Sequence, residues 1–116
     1  MKKHKHCLYT LKELNECVYC GLVAMTEDHV IPISASKWIR IKGYSSSRTR
    51  SILDNDSNKV SCCIICNREK SNLMPDEWFN IHPEYIERFK SNARHLSDLV
   101  KQLCGIYEIE SRYELY

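Results

Sequence analysis

Four of the seven cysteines form two pairs with the same spacing. The pairs are Cys17-x-x-Cys20 and Cys63-x-x-Cys66, and 42 residues separate them. Each pair can place two sulfurs on one side of a metal ion, so two pairs can enclose Zn²⁺ in a tetrahedral site. A closed site has no free ligand position, and we therefore expect this zinc to be structural. Cys62 offers a competing register, but Cys63 repeats the spacing of the first pair.

Polar residues suited to metal-assisted chemistry lie between the two cysteine pairs and directly after the second pair. Asp28 and His29 open an Asp-His-x-x-Pro segment, and Asn58 precedes Cys63 by five positions. Asn67 and Lys70 belong to a Cys-x-x-Cys-Asn-x-x-Lys run. In this order, over residues 17 to about 72, the combination resembles the HNH endonuclease family.

The resemblance implies a ββα-metal fold and a role for each of these residues. His29 would be the general base that takes a proton from water, and Asn58 would hold the loop and orient it. Asp28 and Asn67 would ligate a catalytic divalent ion, and Lys70 would contact a substrate phosphate or the charge that develops during the reaction. Asn67 stands where the family's last His is expected. This His-Asn-Asn variant favours Mg²⁺ or Mn²⁺ at the catalytic position.

A basic segment lies between His29 and Asn58, the candidate residues that precede and follow it in the sequence. No acidic residue occurs from Val30 to Leu53, and Trp38 and Tyr44 lie within this segment. We predict a helical turn or two over 35–41 and a loop over 44–50. Next to a nuclease-like core, the segment is predicted to contact nucleic acid; the alternative is a solvated charged loop. The predicted contact residues are Lys37, Arg40, Lys42, Arg48 and Arg50.

Length and composition limit the chain to a single compact unit. Its 116 residues are too few for a two-domain enzyme, and residues 1–70 carry a net charge of +5 against −3 for 71–116. No apolar run approaches the ~20 residues of a membrane-spanning helix. The basic N-terminus lacks an apolar signal segment, so we expect a reducing, cytoplasmic location. The remaining cysteines, Cys7, Cys62 and Cys104, are predicted to be buried apolar side chains.

The predicted elements give an α+β fold. Residues 1–74 would form the nuclease core, with a helix over 11–16, short strands within 22–33, an apolar segment over 60–65 and a helix near 65–72. Residues 75–116 would add a helical extension, with one helix over 76–80 and a longer one after His82. An apolar stripe in that longer helix is predicted to pack on the chain's own domain, or alternatively to form a homodimer seam. The stripe consists of Ile86, Phe89, Ala93, Leu96, Val100, Leu103 and Tyr107.

These observations predict a metal-dependent endonuclease that hydrolyses DNA phosphodiester bonds, with RNA as an alternative substrate. Both nicking and double-strand cleavage fit the sequence. One alternative is a catalytically inactive, zinc-stabilised protein that binds nucleic acid or a polymerase on the same scaffold. Another is an interaction module that acts through the apolar stripe.

Overall fold

Two short antiparallel strands form the centre of the computed structural model, which describes residues 15–107. Strand β1 is Thr26–His29 and strand β2 is Lys59–Cys62. In their register, Asp28 lies opposite Val60 and His29 lies opposite Lys59. Val60 and Cys62 alternate with more exposed residues along β2, which gives the sheet one buried face.

Five α-helices surround this sheet within the described residues. They are α1 (Ser46–Leu53), α2 (Ile64–Lys70), α3 (Pro75–Ile81), α4 (Ile86–Asn92) and α5 (Asp98–Cys104). Short 3₁₀ helices cover Ile33–Lys37, Asp56–Asn58 and Pro83–Tyr85. Side chains cap the starts of α1, α2 and α5, because Ser45, Cys63 and Ser97 each accept a hydrogen bond from the backbone amide three residues later.

Helix α2 follows β2 directly and packs against β1. The result is a strand, strand, helix unit in which the predicted functional residues lie on neighbouring elements. The α+β class is therefore shown by the described residues. The helices near 65–72 and 76–80 were predicted nearly in place, as α2 and α3.

An aromatic cluster joins the C-terminal helices to the first cysteine pair. Tyr19 stacks on Phe89 with ring centroids 5.5 Å apart, and it meets the edge of Trp78 at 5.4 Å. Both Trp78 and Phe89 are fully buried. The described part of the predicted extension therefore shares one hydrophobic core with the described part of the predicted nuclease core.

One loop prediction and one helix prediction need correction. The predicted loop over 44–50 is largely helix α1, because Ser45 caps it and Thr49 and Leu53 are buried one turn apart. The predicted long helix is interrupted after Asn92, and α5 starts afresh behind the Ser97 cap. Phe89, Ala93, Leu96 and Val100 are buried in the chain's own core, so these four positions of the predicted stripe pack within the chain.

The predicted helix over 11–16 lies mostly outside the described residues. At its end, Glu16 forms an isolated bridge with Val23 instead of a helical turn. Over residues 15–107, no helix combines the length and the apolar character needed to cross a lipid bilayer.

Candidate active site and metal centre

Both cysteine pairs converge on one point. The four Sγ atoms of Cys17, Cys20, Cys63 and Cys66 all lie within 4.8 Å of one another. A tetrahedral Zn²⁺ with Zn–S distances of ~2.3 Å requires sulfurs about 3.8 Å apart. The Sγ atoms of Cys20 and Cys63 are 3.6 Å apart, so the cluster has the size and donor set for a metal ion such as zinc. The predicted register with Cys63 is confirmed.

Local backbone geometry shapes each half of the cluster. After Cys20, Gly21 adopts a φ of +89°, and its amide donates to the carbonyl of Cys17 at 3.0 Å. A side chain at this position would also collide with the guanidinium of Arg88. In the second pair, the amide of Cys66 donates to Sγ of Cys63 at 3.3 Å, where Cys63 caps α2. Glycine and a helix start thus fold the two pairs around the same centre.

The thiols of the cluster differ in acidity. A hydrogen bond from Cys62 lowers the pKa of Cys17 to about 3. Burial raises the pKa of both Cys20 and Cys66 above the ordinary thiol value. Binding of a metal ion would therefore release protons from these buried thiols, and the ion would balance the charge of the four thiolates that form. Cys62 lies beside the cluster and its Sγ donates to the carbonyl of Cys63 at 3.4 Å. Cys62 and Cys104 are both buried in the core, as predicted.

A separate cleft brings together three of the predicted site residues. Asp28 and His29 at the end of β1 and Asn67 on α2 line one cavity of about 330 Å³. Pro32, Ser34 and Asn72 form part of its remaining wall. Helix α2 links this cleft to the metal centre, because it carries Cys66 next to Asn67.

Asn67 is held in a defined orientation inside the cleft. Its Nδ2 donates to Oγ1 of Thr26 at 2.8 Å and to the carbonyl of Glu27 at 3.3 Å. These contacts leave Oδ1 as the remaining polar atom of the amide. An amide oxygen is a suitable ligand for a hard divalent cation.

Asn58 is fully buried and acts as a clamp. Its Oδ1 accepts from the amide of Ile31 at 2.9 Å, while its Nδ2 donates to the carbonyls of Ile31 and Leu53 at 2.9 and 2.7 Å. It therefore holds the loop after His29, as predicted. The predicted hydrogen bond to the His29 ring is made by a different residue, Asp54.

His29 contacts an acidic residue that the sequence analysis did not select. Its Nε2 lies 2.7 Å from Oδ1 of Asp54, and its side chain remains 33% exposed. The hydrogen bond to His29 lowers the pKa of Asp54, with Lys59 contributing as the second cause. The sequence signal that could have identified Asp54 is its position as the first acidic residue after the basic segment.

Lys70 and Asp28 form a buried ion pair. Nζ of Lys70 lies 3.2 Å from Oδ2 of Asp28 and also donates to the carbonyls of His29 and Val30. Tyr19 donates its hydroxyl to Oδ2 of Asp28 at 2.7 Å. Burial raises the pKa of Asp28 even though Lys70 opposes this effect. The predicted phosphate contact is therefore corrected, since Lys70 is fully buried and its ammonium points into the fold.

The basic residues face in different directions. Arg50 lines a groove of about 470 Å³ together with Ser47, Ser51 and Asp54, and this groove shares Ile33 with the cleft. Arg48 instead lies over the ring of Tyr44. Arg40 and Lys42 border an apolar groove near α5, and Lys37 is exposed at the end of a 3₁₀ helix. Only Arg50 among the five lies along a groove adjoining the cleft.

No protein family, curated protein or solved structure matches this chain. Its function must therefore be inferred from the chemistry of its own residues.

Proposed function

We propose that this chain is an HNH-type endonuclease that hydrolyses DNA phosphodiester bonds, with a four-cysteine zinc ion stabilising its fold. One observation carries the proposal. Asn67 on α2 is 38 residues beyond His29 in the sequence, yet it lines the same cleft as Asp28 and His29 at the end of β1. A base and hard oxygen donors in one cleft are the components that phosphodiester hydrolysis needs.

In this proposal, His29 removes the proton from the attacking water. Its ring lines the cleft and is partly exposed, so solvent reaches it. A neutral imidazole is suited to this step near neutral pH. The clamp by Asn58 keeps the loop after His29 from moving, which keeps the base in place for the reaction.

Asn67 and Asp28 are the proposed ligands of a catalytic Mg²⁺ or Mn²⁺. Such an ion would neutralise charge that develops on the phosphate and on the leaving oxygen. Asn67 fits this role through Oδ1. Asp28 fits it through Oδ1, whose contact with Lys70 is the longer one at 3.4 Å, while Oδ2 stays bonded to Tyr19.

Arg50 is the proposed contact for the DNA backbone. It lies in the groove that adjoins the cleft, so a strand following this groove would bring a phosphate beside His29. Backbone contacts by arginine position the duplex without reading its sequence. The other basic residues would add attraction at longer range.

The test is cleavage of supercoiled plasmid DNA with Mg²⁺ or Mn²⁺. We expect nicked or linear product that EDTA abolishes, and we expect His29→Ala to lower the rate by ~10²-fold or more. His82→Gln is the matched control, because His82 lies outside the cleft and pairs with Glu69 and Glu84. Equal rates for His29→Ala and the wild-type protein would overturn the assignment of the base.

A variant of Asn67 tests the metal role separately. Asn67→Ala should raise the Mg²⁺ concentration needed for half-maximal cleavage by about tenfold, whereas His29→Ala should lower the rate without this change. An unchanged Mg²⁺ dependence in Asn67→Ala would remove Asn67 from the proposed site.

The ion pair between Asp28 and Lys70 favours a second candidate, a zinc-stabilised protein that binds nucleic acid without cleaving it. Both oxygens of Asp28 already have partners, so the acidic ligand is engaged within the fold. Salt-sensitive binding of DNA or RNA, without cleavage of either by the zinc-loaded protein, would favour this candidate.

A further inference from the structure

The ring of His29 is held between two rigid parts of the fold. On one side, the loop after His29 is clamped by Asn58 through both backbone groups of Ile31. On the other side, Asp54 ends helix α1, and its amide donates to the carbonyl of Arg50 at 2.9 Å. The two side chains meet at 2.7 Å.

Asn58 links these two parts. The same Nδ2 that donates to Ile31 also donates to the carbonyl of Leu53, the residue before Asp54. A single buried amide therefore sets the distance between the loop that follows His29 and the helix end that carries Asp54. The contact between His29 and Asp54 follows from this clamp as well as from their own attraction.

The chemistry of the pair decides which ring nitrogen holds the proton. A carboxylate only accepts hydrogen bonds, so a ring nitrogen facing it must donate. The neutral ring then carries its proton on Nε2 and has its lone pair on Nδ1. Lys59 is the other charged group near this carboxylate, with Nζ 3.7 Å from Oδ1 of Asp54 and 3.8 Å from Asp56.

We propose that Asp54 is the positioning residue for the base: it fixes His29 as the Nε2–H tautomer and directs Nδ1 towards the attacking water. This inference rests on the proposed function for its catalytic consequence. Its structural part, the tautomer, stands independently of any activity. An aspartate in this role holds the tautomer and orientation of the ring, and it stabilises the imidazolium that forms when the base takes its proton.

The first test reads the tautomer directly. In protein labelled with ¹⁵N-histidine, long-range ¹H–¹⁵N correlation spectra near pH 8 distinguish a protonated Nε2 from a protonated Nδ1. We expect His29 to be the Nε2–H form in the wild-type protein and a mixture in Asp54→Asn, because an amide can either accept from Nε2 or donate to it. Asp56→Asn is the matched control and should leave the tautomer unchanged.

The second test measures the kinetics of cleavage. Asp54→Asn should lower kcat for plasmid cleavage about 10- to 100-fold while KM changes less than about twofold, since the base loses orientation and DNA contacts remain. Asp54→Glu should recover part of the rate, and Asp56→Asn should match the wild-type protein.

The two tests separate the possible failures. A wild-type protein that cleaves no nucleic acid overturns the proposed function, and the spectra then decide the tautomer alone. An Nδ1–H ring in the wild-type protein, or an unchanged tautomer and kcat in Asp54→Asn, overturns the role of Asp54.

Discussion

The ammonium of Lys70 lies 3.2 Å from Oδ2 of Asp28, and both side chains are buried where α2 packs against β1. The pair joins helix α2, which carries Cys66, to the strand that ends in His29. Lys70 also donates to the carbonyls of His29 and Val30. One buried lysine therefore holds both the Asp28 side chain and the backbone at His29, which are parts of the candidate site.

Removing this lysine should weaken the fold strongly. Lys70→Met leaves the Asp28 carboxylate buried without its cation, which typically costs about 3–5 kcal/mol. Urea denaturation of the zinc-loaded protein measures the loss in the free energy of unfolding. Lys37→Met, at an exposed position, should change this free energy by less than about 0.5 kcal/mol.

The double variant separates charge from packing. Adding Asp28→Asn to Lys70→Met should restore part of the lost stability, because the uncompensated charge is gone. A double variant less stable than Lys70→Met would show that the charge is not the cause.

Metal removal should unfold the core. We expect about one tightly bound zinc per chain, and chelation should abolish the cooperative unfolding transition, because zinc binding supplies much of the folding free energy of so small a unit. Elemental analysis measures the stoichiometry, and near-UV circular dichroism of the Tyr19 and Trp78 rings reports the packed core.

Two cysteine variants sharpen this test. Cys66→Ser should abolish zinc binding and soluble folding. Cys62→Ser removes an equally buried neighbour outside the four-sulfur cluster and should keep one zinc per chain. Loss of zinc from Cys62→Ser would contradict the assigned register, because Cys62 is a ligand only in the alternative register whereas Cys66 is a ligand in both.

Arg50 should contribute one phosphate contact to DNA binding. Arg50→Gln is expected to weaken binding roughly three- to tenfold at moderate salt and to reduce the slope of log Kd against log salt by about 1. Fluorescence anisotropy with a short duplex and the His29→Ala background measures both quantities without cleavage. Arg94→Gln removes the same charge at an exposed residue that lines neither the groove of Arg50 nor the cleft, and it should leave the slope nearly unchanged. Equal slopes for Arg50→Gln and its parent would place the DNA elsewhere.

His82 should make stability depend on pH. It lies 3.0 Å from Glu84 and 2.7 Å from Glu69, and these hydrogen bonds, with Glu84 first, raise the pKa of His82 above 6.5. The same contact lowers the pKa of Glu84 below 4.5. Protonated His82 therefore stabilises the fold fully below about pH 6.5, and this contribution disappears as pH rises through its folded pKa.

The measurement is the difference in free energy of unfolding between the wild-type protein and His82→Gln from pH 5.5 to 8.5. Taking the difference cancels the pH dependence of the zinc site, which both proteins share. We expect the wild-type advantage to shrink as pH rises, and an advantage that grows with pH would contradict the ion-pair assignment.

Much of the local structure could be predicted because its signals act over a few residues. The two Cys-x-x-Cys spacings, the Gly after Cys20 and the proline that opens α3 each constrain the neighbouring backbone directly. Helix α1 was missed because its Ser-rich start looks like a loop, and only burial of Thr49 and Leu53 makes it a helix.

The sequence by itself determined the pattern of the four clustered cysteines, the α+β class and the order of Asp28, His29, Asn58 and Asn67. Only the tertiary structure decided the partners: Asp54 for His29, Lys70 for Asp28, and the chain's own core for the apolar stripe. The physical reason is the sequence separation between the residues that interact. A spacing of three residues fixes geometry locally, whereas contacts across 25 or 42 residues depend on how the intervening chain folds.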